Sequence, residues 1–273
     1  MIYYEEAYYV PMLETNCMLT IRSQQITTFE QAALRKFEDE MVVHSRDFSP
    51  KLCEVLGEEQ LRVALRQAMA RADGYGFTYR GPIRLFIEMM FLFGSKFDTD
   101  PQYPWAAKIL LSDEHQMQRA EQLFEKIIYY QEKVSGPGGE NTRRALRDLL
   151  AWTKNPITFS SSNFEAGMRQ EMSHVFPEKA AFIADEGLTT LINEGMTEGM
   201  KYQFSPVRGE ALIVTLLFAF GHGCTDDPLY PWIAQTLKDE RIIDPAARAA
   251  RLEKKAVTWL EHVLAAPRAG AQR

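Results

Sequence analysis

Two soft side chains stand close together in the run His222-Gly223-Cys224, with Asp226 just beyond it. A cysteine beside a histidine can act as a nucleophile with its base, and the same residue types bind zinc. A structural zinc site needs a second pair of ligands, but the other histidines are scattered along the chain. We therefore predict no metal and no cofactor. A His222–Cys224 nucleophile pair stays open as an alternative, although it lacks a third, orienting group.

Two aspartates stand directly before a proline, in Asp100-Pro101 and Asp227-Pro228. Grouped carboxylates can bind a divalent cation, but an EF-hand loop needs further oxygen ligands and a bidentate glutamate that this sequence lacks. An aspartate followed by proline is typical of an N-cap and the first position of a helix. We expect both aspartates to cap short helices that begin at Pro101 and Pro228.

One carboxylate, Glu88, interrupts the apolar run Ile83–Phe93. A buried glutamate with a raised pKa would be a candidate general acid. Arg84 lies one turn earlier, and an ion pair between the two residues is the reading we favour. The sequence has no phosphate-binding loop, dinucleotide fingerprint, metalloprotease motif or nucleophile elbow. We therefore predict that the chain is not an enzyme, with a helical enzyme as the less favoured alternative.

The elements that carry these residues occur twice. With a constant shift of 127 residues, Phe37–Leu110 aligns with Phe164–Leu237 without a gap, and about a quarter of the positions are identical. The alignment ends in a shared Asp-Pro-x-Tyr-Pro-Trp block, which contains Trp105 in one copy and Trp232 in the other. This period is far longer than that of solenoid repeats, so it predicts two copies of a small helical unit. We expect each Trp to fill the core of its own copy, and a recognition patch is the alternative.

The hydrophobic spacing and the turn residues predict an all-α fold with two packed helical copies. The predicted organisation is an acidic and aromatic N-terminal segment (1–21), copy one (22–136), a linker with a connecting helix (137–160), copy two (161–266) and a tail (267–273). Capping boxes at Thr27 and Ser162 are expected to open the first helix of each copy. A short extended segment within Tyr8–Met18 is the one conceivable exception to helix.

Composition excludes some partners. The chain has 31 basic and 37 acidic residues, and residues 1–59 hold five basic and eleven acidic side chains. The whole net charge of −6 is therefore confined to the first 59 residues, which argues against nucleic-acid or anionic-membrane binding. No apolar run is long enough to span a bilayer, and the N-terminus does not resemble a secretory signal. We expect a cytoplasmic protein with reduced cysteines; the sequence sets no oligomeric state.

The acidic N-terminal region is the candidate surface for a basic protein partner, because its charge would steer association and tyrosine often anchors interfaces. A solvated acidic face that only aids solubility is an equally weighted alternative. The candidate partner-binding residues are Tyr3, Tyr4, Glu5, Glu6, Tyr8, Tyr9, Glu14, Glu38, Asp39 and Glu40.

The arginine-rich run from Leu61 to Gly76, followed by Phe93-Gly94 and the block Phe97–Ala106, carries a family resemblance. It resembles helical proteins of Gram-negative bacteria encoded beside PAAR-tipped type VI secretion toxins and related polymorphic toxins. The resemblance covers Ile21–Leu110 and is weaker in copy two, where Thr189, Asn193 and Glu198 replace arginines. It implies a role beside a toxin and supplies no catalytic or binding residue.

Together these observations predict a protein-binding immunity protein that neutralises a cognate secreted antibacterial effector. A nuclease is a suitable target, since an acidic inhibitor complements a surface that binds phosphate. The alternative within the same class is an adaptor that loads an effector onto the secretion machinery.

Overall fold

The computed structural model describes residues 23–153 and 160–265. Within these ranges the chain forms twelve α-helices and no β-strand, so the all-α prediction is confirmed. The helices are α1 Ser23–Phe48, α2 Pro50–Gly74, α3 Arg80–Phe93, α4 Pro104–Leu110, α5 Gln116–Tyr130, α6 Glu140–Trp152, α7 Phe164–Val175, α8 Pro177–Phe182, α9 Asp185–Lys201, α10 Arg208–Phe220, α11 Pro231–Leu237 and α12 Pro245–Leu264. The segment Tyr8–Met18, part of the linker and the tail lie outside the described residues.

Proline and glycine set many of the helix boundaries. Proline lies in the first turn of α2, α4, α8, α11 and α12, where its missing N–H costs no hydrogen bond. Gly57 has φ +72° and interrupts α2. The glycine-rich run after α5 likewise breaks the chain before α6, with positive φ at Gly136, Gly138 and Gly139.

Four predicted helix starts are wrong. The chain is already helical at Ser23, so Thr27 lies inside α1 and does not cap it. The hydroxyl of Ser162 is hydrogen-bonded to that of Ser160, and no side-chain cap opens α7. Helices α4 and α11 begin at Pro104 and Pro231, three residues later than predicted; the residues directly after the aspartates form turns, and Tyr103 and Tyr230 occupy the N-cap positions.

Helices in the two halves of the chain have matching bounds. Helix α4 runs from Pro104 to Leu110 and α11 from Pro231 to Leu237, a shift of 127 residues at both ends. Helices α3 and α10 both end in Phe-Gly, at Gly94 and Gly221, with φ +97° at each glycine. We call residues 23–136 the first half and 160–265 the second half; their origin by duplication stays a prediction.

Each half has an aromatic centre built in the same way. In the first half, the Phe93 ring packs against Tyr103, Trp105 and Tyr130. In the second, the Phe220 ring packs against Tyr230, Trp232 and Trp259. Trp105 and Trp232 therefore pack within their own halves, as predicted, and both are partly buried. Each buried aromatic side chain contributes roughly 2–3 kcal/mol of hydrophobic stabilisation.

Candidate functional site

The His222–Cys224 pair is not arranged for nucleophilic chemistry. The thiol of Cys224 is fully buried, and burial raises its pKa well above the ordinary value. The imidazole Nδ1 of His222 lies 3.2 Å from a carboxylate oxygen of Glu194, and its Nε2 lies 3.1 Å from the hydroxyl of Thr99. Both ring nitrogens are thus engaged by groups other than the thiol, and a buried neutral thiol is a poor nucleophile.

Asp100 and Asp227 join the two halves. Asp100 accepts a hydrogen bond of 2.8 Å from the backbone N–H of His222, and Asp227 accepts one of 2.8 Å from the N–H of Ser95. The second oxygen of each aspartate accepts from the backbone N–H two residues later. Burial raises the pKa of both carboxyl groups. Both aspartates accept backbone N–H groups, as predicted, but they hold a contact between the halves and do not cap a helix.

The junction also buries a lysine that the sequence did not single out. Lys179 lies at the position that corresponds to Leu52, and its ammonium group donates to the backbone carbonyl of Phe218. Burial lowers the pKa of Lys179 to about 8, although the nearby Asp100 carboxylate opposes that change. The ammonium also lies 5.7 Å from the centre of the Tyr103 ring. The lysine therefore serves packing and charge balance between the halves.

The predicted ion pair of Glu88 is confirmed. Arg84 donates to the Glu88 carboxylate at 2.9 Å, and the imidazole Nε2 of His44 lies 2.7 Å from the same oxygen. Asp98 is likewise engaged, because it accepts from Arg71 and from the Tyr75 hydroxyl.

Within residues 23–153 and 160–265, no three His, Cys, Asp or Glu side chains converge in a way that could hold a metal ion.

The three candidate carboxylates on α1 form ion pairs with arginines. Glu38 is buried and accepts from Arg62 at 3.2 Å, and the same guanidinium lies 2.8 Å from exposed Asp39. Glu40 pairs with Arg80. These carboxylates therefore project a weaker field than their number in the sequence indicates. The other candidate residues, Tyr3, Tyr4, Glu5, Glu6, Tyr8, Tyr9 and Glu14, lie outside the described residues.

Helix α5 exposes apolar side chains on a second face. Its core face is formed by Leu123, Ile127 and Tyr130, all buried. Met117, Phe124 and Ile128 lie about a third of a turn or more away from that face around the helix axis. Their side chains are 49%, 51% and 39% exposed. These three positions follow the helical repeat and form one stripe, which we call the α5 stripe. A half-exposed phenylalanine between two exposed aliphatic side chains is typical of a surface that binds another molecule.

Unpaired carboxylates border the α5 stripe along one edge. Glu121 and Glu125 project from α5 beside the stripe, and Glu132 continues the row in the following turn; we call these three residues the acidic edge. All three are exposed, and none forms an ion pair with a described residue. Their charge is therefore available to a partner, in contrast to that of Glu38, Asp39 and Glu40. An apolar stripe with an uncompensated acidic edge favours a partner that presents apolar and basic side chains together.

No known family model, curated protein or solved structure matches the chain. The resemblance to proteins encoded beside type VI secretion toxins therefore stays a prediction. A search of the described helices for one long and apolar enough to cross a membrane found none.

The sequence contains a signal for the α5 stripe. Apolar residues at 117, 124 and 128 fall on a different face of the helix from those at 123, 127 and 130. A helix that is apolar on two faces needs two neighbours, or one neighbour and a partner. The helical wheel of α5 would have shown this, but it could not have shown which face is buried.

Proposed function

We propose that this chain binds another protein through the α5 stripe and its acidic edge, and that it acts as an immunity protein for a secreted antibacterial effector. The observation that carries the binding role is the combination of a half-exposed Phe124, flanking aliphatic side chains and the acidic edge, whose three carboxylates form no ion pair with a described residue. The link to an effector toxin comes from the sequence resemblance alone. Localisation in the cytoplasm, where such an inhibitor meets an incoming toxin, is part of the same proposal.

The contacts of the other candidate residues support a binding role over catalysis. The residues with chemical potential hold the two halves together or form ion pairs: His222 and Asp100 at the junction, and Glu88 on α3. Cys224 is a buried neutral thiol. The α5 stripe is different, because its side chains contribute little to the core and yet expose apolar area to water. Exposed phenylalanine costs solubility, and a partner surface offsets that cost.

Co-purification tests the proposal. The full chain is expected to form a stable complex with the protein encoded by the adjacent gene, and the double variant Phe124→Ser/Ile128→Ser is expected to weaken that complex at least tenfold. The reason is that two central apolar contacts are lost from the interface. Met200→Ser is a matched control, because Met200 is also an exposed apolar residue on a helix, but it lies in the second half.

Charge reversal separates the acidic edge from the α1 carboxylates. Glu121→Lys/Glu125→Lys is expected to slow association by roughly tenfold at low salt, while Asp39→Lys has a smaller effect because Arg62 already balances Asp39. Stopped-flow association rates at several salt concentrations measure both variants. Absence of a complex at low salt, or equal association rates for wild type and Glu121→Lys/Glu125→Lys, would contradict the proposal.

A further inference from the structure

Helix α6, which connects the two halves, lies in a valley that α7, α10 and α12 of the second half form. Its side chains Leu149 and Trp152 face α10 and α12 across a cavity of about 110 Å³. The α12 residues that line this cavity are Glu253, Ala256 and Leu260, and Leu260 is only 5% exposed. The second half therefore shows what an amphipathic helix does in this valley: it covers one flank of α12 and buries that flank.

Helices α3 and α5 form the same kind of valley in the first half. The Phe93 and Tyr130 rings are 4.8 Å apart and nearly perpendicular, and the Phe220 and Trp259 rings are 4.8 Å apart at a similar angle. Tyr130 on α5 therefore corresponds to Trp259 on α12.

Counting along both helices from this pair gives the rest of the flank. Phe124 corresponds to Glu253, Ile127 to Ala256 and Gln131 to Leu260. The flank of α5 that contains Phe124 is therefore the counterpart of the flank of α12 that α6 covers.

No described helix covers this flank in the first half. Phe124 is 51% exposed, and Gln131 is exposed where its counterpart Leu260 is buried. The described helices that pack along α5 are α3 and α4, and at the C-terminal end of α5 the Phe182 ring of α8 contacts the rings of Tyr129 and Tyr130. The α3 side chains that line this valley are also larger than those on α10, since Arg84 and Glu88 occupy the positions of Ala211 and Thr215. A helix docked here would lie further out than α6 does, against the α5 stripe.

We infer that the valley beside α5 is a docking groove for an amphipathic α-helix of the partner protein, with apolar residues on the α5 stripe and lysine or arginine residues along the acidic edge. This inference rests on the proposed function and specifies how the partner is recognised. The three exposed carboxylates of the acidic edge favour a partner helix with basic residues along one side. Among the described residues of α3, Arg84 is paired with Glu88, so α3 offers no free cation opposite the acidic edge.

The dimensions fit a helix of about three turns. Met117 and Ile128 are eleven residues apart, so the α5 stripe is about 16 Å long. Helix α6, which packs against α12 in the second valley, has 13 residues. A helix satisfies its own backbone hydrogen bonds and needs only one apolar face to bind, with anchors spaced three, four and seven residues apart.

A synthetic peptide tests the groove without knowledge of the natural partner. The probe is an 18-residue fluorescein-labelled peptide with leucines on one helical face and lysines at its borders. A scrambled peptide of the same composition is the control. The full chain is expected to bind the amphipathic peptide at least tenfold more tightly than the scrambled one, as measured by fluorescence anisotropy.

Variants of the full chain locate the binding. Phe124→Ser/Ile128→Ser is expected to remove the tenfold preference, Glu121→Gln/Glu125→Gln to flatten its salt dependence, and Met200→Ser to change neither. Equal binding of both peptides, or a preference that survives loss of Phe124 and Ile128, would overturn the inference.

Thiol labelling tests whether the groove is open in the full chain. In a Cys17→Ser background, a Phe124→Cys variant is expected to react with a maleimide at the rate of an exposed thiol, while Cys53 and Cys224 stay protected by burial. Slow labelling at position 124 would mean that the chain covers its own groove, which contradicts the inference.

The peptide and co-purification experiments fail independently. A groove that binds the peptide in a chain that binds no effector would overturn only the proposed function. An effector complex that is indifferent to Phe124 would overturn the groove and the assignment of the α5 stripe as the interface, but not the immunity role itself.

Discussion

At the scale of single residues, the contribution of the buried Lys179 to the free energy of unfolding is the easiest to measure separately. Lys179 lies in the core between the halves, with the Phe218 carbonyl as its acceptor and Asp100 as the nearest opposing charge. Its counterpart in the first half is Leu52, so the fold does not need a lysine there. Because water solvates an ammonium far better than this site does, the folded state releases the proton more readily than the unfolded chain.

The pKa of Lys179 predicts how stability changes with pH. The folded pKa of about 8 lies below the ordinary value of 10.5, so the unfolded chain binds more protons between these values. The contribution of Lys179 to stability therefore rises as pH increases from 8 toward 10.5, by up to about 1.4 kcal/mol per pH unit. Denaturant unfolding from pH 7 to 9.5 is expected to show that wild type gains stability relative to Lys179→Met as the pH rises.

Exposed Lys108 provides the control for this experiment, because Lys108→Met removes a lysine from the surface of α4. Its stability curve is expected to run parallel to that of wild type. Parallel curves for Lys179→Met as well would show that the buried amine does not titrate in this range.

Single residues also show where sequence reasoning ends. The aspartates of the Asp-Pro pairs were predicted to bind backbone N–H groups, and they do. Their second donors, the backbone N–H groups of His222 and Ser95, lie 122 and 132 residues away in the chain, and no local pattern encodes such a contact. The ion pair of Glu88 with Arg84 was predictable because helical spacing places the two residues together, whereas His44 joins them from another helix.

At the scale of single helices, the strength of the capping interactions differs from one end to another. The Asp244 carboxylate accepts hydrogen bonds from the backbone N–H groups of Ala246 and Ala247 at the start of α12. Asn163 occupies the same position before α7 but makes no capping bond with its side chain. From residue type alone, Asp244 and Asn163 would be expected to cap their helices equally well.

We expect Asp244→Ala to lower the free energy of unfolding by about 1 kcal/mol, because two N–H groups at the start of α12 lose their acceptor. Asn163→Ala is expected to cost only a few tenths of a kcal/mol. Chemical denaturation measures both values, and equal losses from the two variants would contradict the assignment of Asp244 as the functional cap.

Helix positions were largely predictable, since proline and glycine interrupt the chain at fixed points such as Pro50, Gly57 and Gly94. Which face of each helix is buried was not predictable. In α5, the stripe containing Phe124 and the core face containing Leu123 look equally apolar in the sequence. Only the packing of α3 and α4 decides which face is buried, and the candidate surface therefore had to come from the structure.

At the scale of the whole molecule, two glycines set how closely the halves approach. A Cβ atom on Gly94 would lie 2.5 Å from the backbone oxygen of Phe220, and one on Gly221 would lie 2.6 Å from that of Phe93. Both contacts are with backbone atoms, so neither half can relieve them by a change of rotamer. Side chains other than hydrogen are therefore excluded on both sides of the junction.

Gly94→Ala is expected to destabilise the protein by at least about 2 kcal/mol more than Gly57→Ala does. Both glycines have positive φ and extended ψ, so backbone strain of about 1–3 kcal/mol is common to both variants. Space is open around Gly57, whereas Gly94 meets the opposite half. Thermal or denaturant unfolding measures the difference, and equal losses would mean that the halves separate slightly at little cost.

The exchange of aspartate hydrogen bonds makes each half incomplete without the other. Ser95 and His222 donate their backbone N–H groups to carboxylates across the junction, so separation would leave buried polar groups without acceptors. The molecule should therefore open and close as one cooperative unit. A partner held on α5 would then slow proteolysis of α9 and α10 in the opposite half, and so would extend the lifetime of the entire chain.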